Sequence, residues 1–173
     1  MITIISATNR PNSNSLKIAK NYAQLMEKQG VECKIFSLER LPADFISTDL
    51  YNKRSENFQQ LLNEFIIPSK KIVFIVPEYN GSFPGVLKTF LDAIHPDINR
   101  HKKVAMVGVA SGRGGNVRGM EHLTGILNYL GMFILPNRLP ISSVATFLDE
   151  KGQLKDPLIT KSLEIHVAEF LAL

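Results

Sequence analysis

Three short stretches of this chain carry side chains able to hold and orient a ligand. Ala7-Thr8-Asn9-Arg10-Pro11-Asn12-Ser13-Asn14-Ser15 offers hydroxyls, amides and one guanidinium just ahead of an amphipathic run. Hydroxyl donors beside the unpaired N–H groups of a helix start make an anion site, and an arginine adds a planar charged fork. The stretch has neither the glycine-rich loop and lysine of a Walker A motif nor a G-x-G-x-x-G pattern. A single phosphate monoester fits it better than a triphosphate or a dinucleotide pyrophosphate. The same polar residues could simply cap the helix. The second stretch is Pro77-Glu78-Tyr79-Asn80-Gly81-Ser82-Phe83-Pro84-Gly85. It holds a ring, an amide and glycines that let backbone approach a flat, hydrogen-bonding ligand, although Asn-Gly is equally a generic turn signal. The third, Ser111-Gly112-Arg113-Gly114-Gly115, is glycine-dense, with Arg118 just beyond. Alone it reads as a flexible turn with exposed arginines.

The elements around these stretches decide whether they can meet. Ile2 to Ser6 is a short apolar strand. Ser13 caps a helix to about Gln29, with Leu16, Ala19, Ala23 and Met26 on one side, and Gly30 ends it. Glu32 to Ser37 is a second strand, and Leu41 to Lys53 is irregular. Asn57 to Ile67 is helical until Pro68. Lys71 to Val76 is a third strand, fully apolar after Lys71, as in a sheet covered on both faces. Val86 to Ile94 follows as a helix. Val104 to Ala110 is a fourth strand, and a helix from Val117 ends at Gly131. A fifth strand begins at Met132 to Leu135, and Pro157 opens a last helix to about Phe170. This alternation predicts a single α/β domain over residues 1–173. The expected form is a three-layer sandwich with a five-stranded parallel sheet in the flavodoxin-like order 2-1-3-4-5. Strands one, three and four are then neighbours, so the three stretches converge at their carboxyl ends, where open α/β sheets bind ligands.

Composition excludes more than it assigns. A 173-residue chain with 45% hydrophobic residues can bury a sizeable core, and its net charge of +4 is scattered. No basic run with interleaved aromatics argues for nucleic acid, and no apolar run approaches the length of a membrane span. One cysteine, Cys33, excludes a disulfide within the chain and reads as a small core residue; a cytoplasmic location is expected. His95, His101, His122 and His166 lack zinc spacing and read as ordinary surface or interface residues, so no metal is expected. No G-x-S-x-G elbow is present, and Asp92 and Glu121 read as parts of solvated helix faces.

Taken together, the three stretches resemble the NAD(P)H-dependent FMN reductase family of the flavodoxin-like superfamily. That family reads G-S-x-R-x-x-S-x-N after its first strand, and Thr8, Arg10 and Ser13 match it in chemistry. Ala7 stands in place of the glycine and Ser15 in place of the asparagine, and a Cβ at residue 7 bears on how closely backbone approaches a phosphate. The family's P-E-Y-N-G-S-x-P-G-x-L-K is matched from Pro77 to Lys88 without departure, and its glycine-rich loop by Ser111 to Gly115. The resemblance covers roughly residues 1 to 140. It implies that Thr8, Arg10, Ser13, Asn14 and Ser15 hold the FMN phosphate. It places Pro77, Glu78, Tyr79, Asn80 and Gly81 along the isoalloxazine, with Ser111, Gly112, Arg113, Gly114 and Gly115 at its other edge.

The activity implied is transfer of electrons from NADPH or NADH through FMN to a second small molecule, such as a flavin, a quinone or an azo compound. The cofactor carries the difficult chemistry, so no catalytic acid, base or nucleophile is named. A homodimer or homotetramer is implied, with no nucleic-acid or membrane partner. An electron carrier on the same scaffold would lack NAD(P)H oxidation. A phosphoacceptor receiver would need carboxylates at the strand ends, where Ser6, Ala7, Val76 and Ala110 stand instead.

Overall fold

Strands without polar alternation have to be covered on both faces, and that requirement builds the sheet. A computed structural model of the chain describes residues 1–51 and 54–173. In it β1 (Ile2–Ser6), β2 (Lys34–Ser37), β3 (Lys71–Pro77) and β4 (Lys103–Val109) run parallel in the order β2-β1-β3-β4. Ile4 lies opposite Val73, and Val73 opposite Ala105. Successive residues of β3 face opposite layers. Ile72, Phe74 and Val76 enter one core and Val73 and Ile75 the other. Each such burial stabilises by about 1.5–3 kcal/mol, an upper figure against a fully extended chain.

Helices α1 (Asn14–Lys28) and α7 (Pro157–Ala172) cover the second core with Ile18, Tyr22, Met26, Leu163, Val167 and Phe170. The first core is covered from elements farther along the chain. α2 (Phe45–Thr48) is one turn within the stretch expected to be irregular; of that stretch, Asn52 and Lys53 lie outside the described residues. α3 (Glu56–Leu61) starts at a Ser55 cap and continues as a π-helical turn, Leu62–Ile66, before Pro68. α4 (Gly85–Asp92) and α6 (Val117–Tyr129) complete the layer. A short α5 (Pro96–Asn99), begun by proline at its first position, was not expected.

The sheet departs from expectation at its fifth position. Two short strands share it: β5 (Phe133–Ile134) pairs with Lys103 and Val104, and β6 (Leu139–Ile141) with Val107 to Val109. Pro136 lies between them and has no N–H for a ladder, so the edge strand breaks there. The sheet therefore has six strands in five positions.

Two further expectations are corrected. His166 is not a surface residue but fully buried: Tyr22 Oη lies 3.0 Å from its Nδ1, and the Asn137 carbonyl 3.2 Å from its Nε2. Burial holds its imidazole below the ordinary histidine range. Cys33 is only partly buried; it packs on the edge of the second core, and burial raises its thiol pKa. The apolar face of α4, with Leu87, Phe90 and Leu91, is inside the first core.

Candidate functional site

β1, β3 and β4 are adjacent, so the loops that leave their carboxyl ends lie side by side. In the first loop, Ser13 caps α1 by accepting the Leu16 N–H at 3.2 Å. The capping reading is therefore right, and it leaves the Ser13 hydroxyl proton free to donate. Thr8 is buried, and its Oγ1 accepts the Arg10 N–H at 3.2 Å. The same hydroxyl shares a 2.8 Å hydrogen bond with the Tyr79 hydroxyl, tying the loop after β1 to the loop after β3. Ser15, in the first turn of α1, is 1% exposed, and its hydroxyl has no protein partner among the described residues. Ala7 is fully buried in the first core, so its Cβ does not line the space between the loops.

The second loop is a tight hairpin. Tyr79 N–H donates to the Ser82 carbonyl at 2.8 Å, and Ser82 N–H returns a bond to Tyr79 at 3.0 Å. Asn80 and Gly81 both have positive φ, 51° and 76°, as a type I′ turn requires. Glu78 N–H donates to the Val109 carbonyl and ties the loop to β4. The turn also packs on α6: Ser82 Oγ lies 2.9 Å from His122 Nδ1, and a Cβ on Gly119 would come within 2.7 Å of the Ser82 carbonyl carbon.

The third loop folds back on β4. A Cβ on Gly108 would lie 2.2 Å from the Gly115 carbonyl oxygen, so only glycine admits this crossing. Asn116, left-handed with φ 61°, donates from Nδ2 to the Val76 carbonyl at 2.9 Å and so joins the loop to β3. Ser142 Oγ donates to the Arg113 carbonyl, and Ser143 N–H to the Gly112 carbonyl. Gly114 sits beside the Glu78 carboxylate.

Eight of the expected residues bound one cavity of about 210 Å³: Arg10, Ser13, Asn14, Ser15, Pro77, Glu78, Tyr79 and Ser111. Val109 and Val144 complete it. Thr8 stands behind it, held to Tyr79. Asn80, Gly81, Gly112, Arg113, Gly114 and Gly115 lie in the adjoining turns and do not line it. Asn116 and Val144 were not singled out from sequence, and His122 was read as an ordinary surface or interface residue. A glycine pair followed by asparagine at a helix start could have pointed to Asn116 as a left-handed cap; nothing local marks the other two. A larger cavity of about 790 Å³ opens at Gln59, Asn63 and Asp92 to Pro96. It shares no residue with the three loops. Convergence of free polar groups at strand ends is the better guide to a ligand than volume. Among the described residues no cluster of His, Cys, Asp and Glu could hold a metal ion.

The profile of a family described as NADPH-dependent FMN reductase matches residues 1–146. An NAD(P)H-dependent FMN reductase of Pseudomonas aeruginosa is 32% identical over 145 residues, 79% of this chain and 77% of that protein. An FMN-dependent NADPH-azoreductase of Staphylococcus aureus is 26% identical over 112 residues, 63% of this chain and 60% of that protein. Among solved structures, a flavoenzyme NAD(P)H:(acceptor) oxidoreductase from Paracoccus denitrificans superposes with TM-score 0.79 at 21% identity, covering 99% of this chain and 94% of that one. Oxidised flavodoxin 1 from Bacillus cereus superposes with TM-score 0.61 at 14% identity, covering 99% and 96%, which shows a shared fold.

Proposed function

The chain belongs to the NADPH-dependent FMN reductase family, and we propose that FMN sits on the three converging loops, its phosphate at the start of α1. The protein is an NAD(P)H-dependent FMN oxidoreductase. The observation that carries the site is Ser15. Its buried hydroxyl lines the cavity without a protein partner among the described residues, and leaving such a group unpaired costs about 1–3 kcal/mol. Arg10, on the same cavity, likewise makes no side-chain hydrogen bond or ion pair among the described residues. A phosphate dianion would satisfy both, together with the first N–H groups of α1, so the residues present fit FMN.

When bound, FMN would supply the redox chemistry that links NADPH or NADH to a second electron acceptor. The chain's own part is to hold and to exclude. Ser13, Asn14, Ser15 and Arg10 take the phosphate, with Thr8 fixing the loop through Tyr79. Pro77, Glu78, Tyr79, Asn80 and Gly81 would line the isoalloxazine, with the type I′ turn formed at Asn80 and Gly81. Ser111 to Gly115 close the other edge, held by the Gly108–Gly115 crossing. A small flavin, quinone or azo compound is the acceptor.

Residues 1–173 act as one unit. The family match ends at residue 146, yet α7 completes the second core and Lys71 Nζ donates to the Phe170 and Leu171 carbonyls. The apolar face of α4 is taken up by the first core, so a homodimer or homotetramer rests on the resemblance to the family; a monomeric mass by light scattering at micromolar concentration would count against it.

The direct test is to load the purified protein with FMN and follow oxidation of NADPH and NADH against a flavin, a quinone and an azo dye. Arg10→Ala should weaken FMN by roughly tenfold to a hundredfold and riboflavin, which has no phosphate, much less. Equal losses for both flavins would remove the phosphate from this loop.

A further inference from the structure

The seven arginines of this chain divide by place. Arg40 pairs with Glu64, Arg100 with Asp97 and Arg138 with Glu121, while Arg54 donates to the Ala93 carbonyl. The other three are Arg10 and Arg113, on loops at the carboxyl ends of the strands, and Arg118, in the first turn of α6. None of their side chains has a hydrogen-bond or ion-pair partner among the described residues. FMN presents one phosphate, and Arg10 shares a cavity with the start of α1 where that phosphate would lie. Arg118 is not on that cavity.

The seat of Arg118 is built by glycines. It lies in the first turn of α6, which packs against Ser82 only because residue 119 has no side chain. From there the side chain runs over Gly81, with Nη1 2.8 Å from where a Cβ on that residue would be. His122, one turn further along α6, holds Ser82 Oγ at 2.9 Å and keeps helix and turn together. An exposed guanidinium is thus laid across the turn proposed to carry the flavin ring, its donors free of protein acceptors among the described residues. A nicotinamide dinucleotide must put its own ring on the flavin, and its phosphates then extend beyond the ring over the neighbouring surface. We infer that Arg118 binds a phosphate of that donor. The inference rests on the reading that FMN lies on the three loops.

The test compares FMN-loaded protein with Arg118→Ala and Arg118→Lys. Calorimetric titration with NADP+ and with NAD+ reads dinucleotide binding directly, and initial rates with NADPH and NADH give KM and kcat. In Arg118→Ala, NADP+ affinity should fall by roughly tenfold to a hundredfold and KM for NADPH should rise alongside. The change in kcat should be much smaller than the change in KM. Lysine should restore part of the loss, since it keeps the charge but not the planar fork. A loss confined to NADP+ and NADPH assigns the 2′-phosphate; an equal loss with NAD+ and NADH assigns the pyrophosphate. Unchanged dinucleotide affinity, or a KM change for the electron acceptor alone, overturns the inference. So does a parallel loss of FMN affinity by fluorescence titration, because Arg118 would then only brace the turn. Wild-type protein that fails to bind FMN strikes the functional reading instead, and the nucleotide titrations then decide the role of Arg118 by themselves.

Discussion

Thr8 and Tyr79 offer a way to ask whether two loops act as one site. Their hydroxyls share a 2.8 Å hydrogen bond, with Thr8 buried and Tyr79 37% exposed. Tyr79→Phe removes that bond and little else. A net hydrogen bond is worth about 0.5–1.5 kcal/mol. Thr8 Oγ1 still accepts the Arg10 N–H, so it is not orphaned and the loss should sit near the lower end, about 0.5–1 kcal/mol. For a chain of this length that lowers Tm by about 1–4 °C. If the bond is needed to shape the flavin site, FMN affinity should fall by roughly twofold to fivefold. Thr8→Val removes the same bond and also strips Arg10 N–H of its acceptor, so it should cost more, about 1–3 kcal/mol. The double variant then loses less than the sum of the two, by about the 0.5–1 kcal/mol that both singles remove. Thermal melts and FMN fluorescence titrations of the four proteins measure both cycles. Additivity within about 0.3 kcal/mol in both would show that the hydroxyls are not coupled. Coupling in the melts but not in the titrations would make the pair mere scaffold.

Two glycines give expectations of opposite sign. Gly108→Ala drives a Cβ into the Gly115 carbonyl and the Met120 side chain, so it should cost about 1–3 kcal/mol in denaturant unfolding and weaken FMN as the third loop shifts; unaltered binding would detach that loop from the site. Gly125→Ala, on α6 with nothing within 4 Å of its Cβ, should instead stabilise by roughly 0.5–1 kcal/mol, and a loss there would be unexplained. His166 binds its proton less readily in the fold than unfolded, so below pH about 6.5 the unfolded chain takes up more protons and stability falls as pH drops. The slope from this one group can reach about 1.4 kcal/mol per pH unit and should vanish in His166→Gln, measured by urea unfolding from pH 7.5 to 5. An unchanged slope in that variant would place the titration elsewhere.

Most of the architecture was legible because it follows from local patterns. Apolar runs without alternation gave β1, β3 and β4, and Ser13 and Pro157 marked the starts of α1 and α7 where the structure has them. What was missed depends on contacts remote in sequence or on broken regularity. Pro136 divides the fifth strand position, and the segment after it regains pairing with β4 only in three dimensions. His166 looks like any helical histidine until Tyr22, 144 residues away, is seen against it. The same distinction runs through the site. The motif around Tyr79 and the polar loop at residues 8–15 were visible as residue types. Their joining through one hydroxyl pair, and the anchoring of the third loop by Asn116 on Val76, were not.

The Asn80-Gly81 pair shows why turn chemistry and ligand chemistry need not compete. The generic reading is correct: both residues are left-handed, and the hairpin closes with two backbone bonds. That geometry is also what sets Tyr79 within reach of Thr8 and brings Gly81 under Arg118. Any side chain at residue 81 would meet a strained φ and the Arg118 guanidinium at once. Gly81→Val would therefore disturb the turn, the arginine and the proposed ring site together, and loss of flavin binding in it could not be traced to one of them. Changes at the periphery of the turn avoid this. Tyr79→Phe alters one hydroxyl and Arg118→Ala one guanidinium, and neither changes the backbone conformation. The turn is the common support, and the groups it presents are the parts that can be tested separately.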